Sequence, residues 1–330
     1  MKYILKQHLE ELADSVENSP SNNPITLRNW SAGKYFKLMN DIDDSVRTVI
    51  GMYSGGYEPY TEAFQGDFDG NNKKITLAID IKGNKQNRHV ALFSHIISCW
   101  LVDDIPPSHI HHLIVDGYVI YDNDVRHGFT GGIVGYNDFG AEISYCINRS
   151  NVTSSNICTG GITGHNEGTI SHCYNFGNII HTGNSDMAAI GGIAGHSAYC
   201  KFITYSHNSG NIISATSFVG GIVGLLDYGN EISYCINIGT VKGGSIVGGI
   251  IGGYNSSSDI DNMYNCINSG LIVGKHIVGG IIGRNKGAVK NCINTNTVKG
   301  NTKVGCIVGE NDGGTIENCH YDKQICSGEK

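Results

Sequence analysis

The chain has 330 residues, a net charge of −7, 16% charged side chains, and 46 glycines against only 5 prolines. Collagen, which needs glycine at every third position and abundant proline, is excluded. Nucleic acid is not expected as a partner, because phosphate binding needs clustered Lys and Arg. The sequence has no run of 18 or more apolar residues, so no membrane span is expected.

In chain order, the first predicted element is a helix. Leu5, Leu9, Leu12 and Val16 recur at steps of four, three and four, which marks one apolar helix face within residues 1–20. The same residues lack a continuous apolar stretch and carry Glu10, Glu11, Asp14 and Glu17, so they do not read as a secretion signal. The chain is then expected to be intracellular, or a mature or excised piece of an exported protein. Residues 35–130 read as degenerate lead-in coils, and 131–330 as a regular repeat. Together 21–330 are predicted to form one domain.

Self-similarity dominates the rest of the chain. Gly-Ile-x-Gly begins at Gly132, Gly161, Gly192, Gly221, Gly249 and Gly280, and Cys306-Ile307-Val308-Gly309 is a seventh copy. The steps are 26 to 31 residues. A second block, Ile-x-x-Cys-x-Asn-x-Gly-x-Val, follows each copy. Its cysteine column is Cys146, Cys173, Cys235, Cys266, Cys292 and Cys319, with Ser206 standing in once. The asparagine column is Asn148, Asn175, Asn208, Asn237, Asn268 and Asn294. Cys, Asn, Gly and Val are two residues apart, so they point to one face of a strand. The three-residue step from Ile to Cys breaks the alternation and predicts a corner or bulge.

Each unit therefore holds about three short strands and cannot bury its own apolar face, whereas stacked units can. The predicted fold class is all-β: a right-handed parallel β-helix of about ten coils, roughly 45–50 Å long at about 4.8 Å per coil. The helix of residues 1–20 caps one end and blocks edge-to-edge growth. Like residues stack, and buried asparagine amides hydrogen-bond along their column.

Eleven cysteines cannot all pair within one chain, and no Cys-x-x-Cys spacing suggests a metal. Parallel side chains about 4.8 Å apart miss the Cβ separation of about 3.8 Å that a disulfide prefers. The cysteine column reads as buried small hydrophobes. His109, His111 and His112, with Asp103 and Asp104, could place two imidazoles on one face, but read as solvent-facing. His165 and His196 share a column on adjacent coils and read as a solvent-facing stack. Asp67 and Asp69 lie in a Phe-Asp-Gly-Asn turn and read as turn-stabilising. No outward column places two acids on adjacent coils, so no catalytic pair is assigned. No metal site and no cofactor are expected.

Two loops stand out by length, Ile180 to Ile190 and Gly253 to Asn262. The second holds the ligand-binding candidates Tyr254, Asp259 and Asp261, which could bind a cation or a sugar hydroxyl. One outward column is unusually apolar: Ile147, Tyr174, Ile236, Ile267 and Ile293. This stripe is the predicted contact with another chain or domain.

The Gly-Ile-Val-Gly element is similar to the motif that names the GLUG repeat family: glycine, leucine, a bulky apolar residue, glycine. Ile replaces Leu here. The N-terminal third resembles the lead-in to such arrays at Leu9 to Val16, Tyr35 to Asp43, and Phe64 to Ile75 around Phe68-Asp69-Gly70-Asn71. His89 to Ile96 looks like a degenerate first copy, and Asn318 to Gln324 resembles the family's terminator. The resemblance implies a bacterial surface or secreted β-helix protein and supplies no catalytic residue.

The expected function is a non-catalytic binding or display module that adheres to glycan or to a surface protein, with self-association along the apolar stripe. The alternatives are a carbohydrate-active β-helix enzyme (polysaccharide lyase or hydrolase) and an intracellular structural scaffold.

Overall fold

Because each repeat puts its apolar residues on one side of short extended segments, the chain has to coil before it can bury them. The computed structural model describes residues 2–18, 28–51, 62–83, 89–98, 106–123, 128–199, 202–215, 218–228, 231–254 and 262–324. Over these residues the chain is a right-handed parallel β-helix of about nine turns. Every strand pairing is parallel, and the four sheets hold 11, 16, 8 and 8 strands.

One coil illustrates the path. Glu142–Ser144 lies in the first sheet. Ile147–Asn148 and Asn151–Ser154 lie in the second. Cys158–Gly160 lies in the third and Thr163–Asn166 in the fourth. The three faces expected from the repeat resolve into four sheets because the glycine element bends at its centre and serves two of them.

The corner predicted between Ile and Cys is a single left-handed residue. His112, Tyr145, His172, Tyr205, Tyr234, Asn265, Asn291 and Asn318 occupy this position with φ between 49° and 56°. One such residue turns the chain and restores the inward direction for the following cysteine.

Registers place like on like. Ile143 pairs with Ile170, Ile170 with Ile203, and Ile203 with Ile232. All four are fully buried, as are Ile133, Ile162, Ile193, Ile222, Ile250 and Ile281. The asparagine column forms a continuous ladder. Each Nδ2 from Asn148 to Asn268 donates to the next Oδ1 at 2.7–2.8 Å. Each also donates to the carbonyl two residues on, as Asn175 does to Gly177 at 2.9 Å. A second, shorter ladder runs from Asn137 to Asn166 (2.6 Å) and on to Ser197 Oγ (3.1 Å). The cysteine column is buried from Cys146 to Cys292 and half-buried at Cys319, and its thiols donate weakly to carbonyls, Cys146 to Ser144 at 3.3 Å. Cys306 is disulfide-bonded; the other described cysteines are free thiols.

The N-terminal helix spans Lys6–Glu17 and buries Leu9, Leu12, Ala13 and Val16. These join the core with Phe36 and Leu38 of the first coil. The strand Lys2–Ile4 before it extends the first sheet by pairing with Phe36–Leu38. Leu5, counted on the apolar helix face from spacing, is the N-cap and is exposed, because the chain is still extended there. Among the described residues, no helix is long and apolar enough to cross a membrane.

Candidate functional site

Two regions of the outer surface bring chemistry together. The first follows from the bend in the glycine element. Its two strands turn at Gly-Gly-Ile, so their outward sides face each other across a concave groove. Cys158, Ala189, Phe218, Leu225, Ile246 and Ile277, drawn from both strands, form a buried apolar cluster there, separate from the main core. Nearer the N-terminus the same two columns are aromatic. His89 stacks on Phe129 (4.5 Å between centroids) and Phe129 on His165 (4.6 Å). His95 stacks on Tyr136 at 4.8 Å.

Three imidazoles in this groove each meet a carboxylate. His95 Nε2 lies 2.8 Å from Asp138 Oδ2, His165 Nε2 lies 3.1 Å from Glu167 Oε1, and His196 Nε2 lies 2.9 Å from Asp227 Oδ2. Asp138 and Glu167 follow the paired residues Asn137 and Asn166, so they stand on successive coils. The Tyr136 hydroxyl is hydrogen-bonded to both, and its pKa is raised by burial first and by the two acids next. Burial pushes His165 down and the Cys158 thiol up. Both are thus neutral at pH 7.

His165 and His196 share a column, as the spacing predicts, with rings 4.7 Å apart. Their expected exposure is corrected. The His165 side chain is 9% exposed and that of His196 19%. Alternation assigns them outward, but outward at a concave bend means packed. Asp138 and Glu167 are two acids on successive coils that stand past the strand ends, outside the outward columns in which no such pair is expected. They escape a column search because they lie in the Asn-Asp and Asn-Glu corners just after the strand. Cys158 went unassigned because it stands outside the cysteine column; its signal is its place two residues before the Gly160-Gly161 pair. The groove is filled by its own rings, and its acids are bonded to imidazole or phenol. That arrangement holds these groups in place.

The histidine cluster at the second candidate position is likewise internally bonded. His111 Nε2 lies 2.9 Å from Asp67 Oδ1 and its Nδ1 lies 2.7 Å from His112 Nδ1. His109 Nε2 lies 2.7 Å from Ser144 Oγ, and burial pushes its pKa down to about 4. Asp103 and Asp104 lie outside the described residues. Asp69 has the turn role expected of it. It accepts from Tyr35, Lys37 and the Asn71 backbone N–H. Burial alone would raise its pKa, but these bonds bring it down to about 2.

The second surface region is a ledge along the corner of left-handed residues. His112, Tyr145, His172, Tyr205 and Tyr234 form an unbroken ring stack. Successive centroids are 4.6–5.1 Å apart and adjacent planes lie within 13°. Tyr145, Tyr205 and Tyr234 are 41–49% exposed. A left-handed non-glycine residue costs about 1–2 kcal/mol, and a ring pair returns about 0.5–1.5 kcal/mol, so the stack offsets much of the strain of its corner. Asparagine, which tolerates this backbone better, takes over at Asn265.

Two residues beyond each ring lies the apolar stripe. Ile147, Tyr174, His207, Ile236, Ile267 and Ile293 are in register along the second sheet. Ile147, Tyr174, Ile236 and Ile267 are half-buried and Ile293 is exposed. The aromatic row beside them was legible only as a corner; its signal is an aromatic residue directly before Cys146, Cys173, Ser206 and Cys235 in four successive repeats. Of the loop candidates, Tyr254 is buried in register with Leu226. It ends a strand rather than projecting from a loop, and Asp259 and Asp261 lie outside the described residues.

No family model matches the chain, and no curated protein matches it. Among solved structures, it is similar to the crystal structure of a putative immunoglobulin A1 protease from Bacteroides ovatus, at 18% identity and a TM-score of 0.46, over 91% of this chain and 80% of that one.

Proposed function

We propose that this chain is a non-catalytic binding and display module: a rigid rod that contacts protein through the ledge of stacked rings and the isoleucine stripe beside it. The observation that carries this reading is the ledge itself, a row of partly exposed aromatic rings next to an aliphatic row. Tyrosine-rich, half-apolar surfaces of this kind suit protein interfaces. Sugar recognition favours a free ring face, and here the faces are taken up by neighbouring rings, leaving edges and hydroxyls. A second copy of the chain fits this surface well. It carries ridges of the same pitch of about 4.8 Å, so a two-fold arrangement matches row to row. The reading carries with it the surface or secreted location that the GLUG-like motifs imply.

Sedimentation velocity tests it. The wild-type chain is expected to self-associate at micromolar concentration. The double variant Ile236→Lys/Ile267→Lys, with unchanged circular dichroism and melting, is expected to weaken association at least 100-fold, since each copy then presents charge where about 1.5–3 kcal/mol of side-chain burial was available. A wild-type chain that stays monomeric while binding a glycan array through Tyr205 would overturn the protein-contact reading. Product release from a polysaccharide would overturn the non-catalytic one.

A further inference from the structure

The groove holds a donor set that the binding function does not use. We propose that Cys158, His165 and His196 bind one zinc-class divalent cation. Sγ of Cys158 and one nitrogen from each ring lie within 4.8 Å of one another. Zinc bonds of about 2.0–2.1 Å to nitrogen and about 2.3 Å to sulfur give ligand separations of about 3.3–3.6 Å in a tetrahedron. Closing the set therefore takes a shift of about 1 Å, which side-chain rotation supplies.

Three independent features point to an ion. First, Nδ1 of His165 is buried and has no hydrogen-bond partner. A buried ring nitrogen without a partner is costly, and a cation on its lone pair would remove that cost. Second, Nε2 of His165 and of His196 is bonded to Glu167 and Asp227 respectively. This is the carboxylate–histidine arrangement that orients imidazole ligands, and it leaves Nδ1 of each ring as the nitrogen available to a metal. Third, the column containing Cys158 is bulky on either side, with Phe129 before it and Phe218 after, but small at Ala189. Ala189 and His196 belong to the coil that follows the one of Cys158 and His165, so this column is smallest on the coil that supplies the second imidazole. The acids Asp138, Glu167 and Asp227 make the surroundings favourable to positive charge.

A thiolate with two imidazoles suits zinc, and cobalt as its spectroscopic substitute, better than the oxygen-seeking calcium or magnesium. On binding, the Cys158 thiol releases its proton to solvent as the sulfur–metal bond forms, and no electron is transferred. Three protein ligands leave a fourth position for water.

The experiment uses the whole chain stripped of metal with a chelator. Titration with Co²⁺ is expected to give one saturable site per chain, with tetrahedral d–d bands and a thiolate-to-cobalt charge-transfer band, and Zn²⁺ should displace it. Cys158→Ser should abolish the charge-transfer band. His165→Gln should lower affinity more than 100-fold, and Glu167→Gln about 10–100-fold. His207→Gln and Cys235→Ser, which lie outside the groove, should leave the titration unchanged. X-ray absorption of the zinc-loaded wild type keeps the test independent of how the variants fold, with a first shell of one sulfur and nitrogen or oxygen expected. Absence of saturable binding, a sulfur-free shell, or binding that survives Cys158→Ser and moves instead with His111→Gln would overturn the assignment. The apolar ledge is not involved, so failure here leaves the self-association test standing, and the reverse holds.

Discussion

Gly221→Val is expected to destabilise the rod by about 4–5 kcal/mol, the range reached when a substitution leaves no space for its atoms. A Cβ at Gly221 would lie 2.0 Å from the Gly249 carbonyl oxygen and 2.4 Å from Asn237 Cγ. Neither neighbour can retreat. The carbonyl belongs to the next coil, held by bonds such as Ile222 N–H to Ile250 O at 2.9 Å. The amide belongs to the ladder. Spreading the coils to admit the side chain would break the third and fourth sheets together. A loss of this size lowers the melting temperature by about 6–7 °C in a chain this long. Gly253→Ala is the matched control. Its Cβ would meet only the Phe218 and Ile246 side chains at 3.3–3.4 Å, so a loss under about 1 kcal/mol is expected. Thermal melts of the two variants, followed by circular dichroism, compare a backbone constraint with mere proximity.

The second large effect is Asn237→Leu, which keeps the size of the side chain and removes its polarity. Asn237 donates to Gly239 O at 3.0 Å and to Asn268 Oδ1 at 2.8 Å, and accepts from Asn208 Nδ2 at 2.8 Å. The side chain is fully buried, so the groups left behind have no water to turn to. Stranded buried polar groups cost about 1–3 kcal/mol each, and a total of about 3–4 kcal/mol is expected. Cys235→Ser, in the neighbouring column, should cost under about 1 kcal/mol. The chain already carries that substitution at Ser206, whose hydroxyl donates to Thr204 O at 3.0 Å and accepts from Cys173 N–H at 3.2 Å. Chemical denaturation of both variants separates a column that needs its side chain from one that needs only its size.

Much of the fold is legible in the residues because a solenoid repeats its evidence. Isoleucine, cysteine and asparagine recur at fixed offsets, and one stacking rule satisfies all three. The groove was less legible, for a physical reason. Alternation tells which side of a strand a residue lies on, but not whether that side is convex or concave. His165 and His196 are therefore placed in the correct column yet read as solvent-facing. Cys158 stands outside the cysteine column, in a column whose residue type varies from coil to coil, and Asp138 and Glu167 lie just past their strands, where a period of two no longer applies. The aromatic ledge was hidden differently: the broken spacing between Ile and Cys announces a corner, but only the left-handed backbone explains why the corner residue points outward and stacks on its neighbours.

The account rests on amide columns shared between coils, and side-chain hydrogen exchange reads them directly. In ¹H–¹⁵N spectra after transfer to D₂O, the side-chain NH₂ signals of Asn148, Asn175, Asn208, Asn237 and Asn268 should persist on the order of hours, because they open only when the coils separate. Those of the exposed Asn178 and Asn211 should vanish within the dead time. Loss of all seven at one fast rate would contradict the ladder and the stacking built on it.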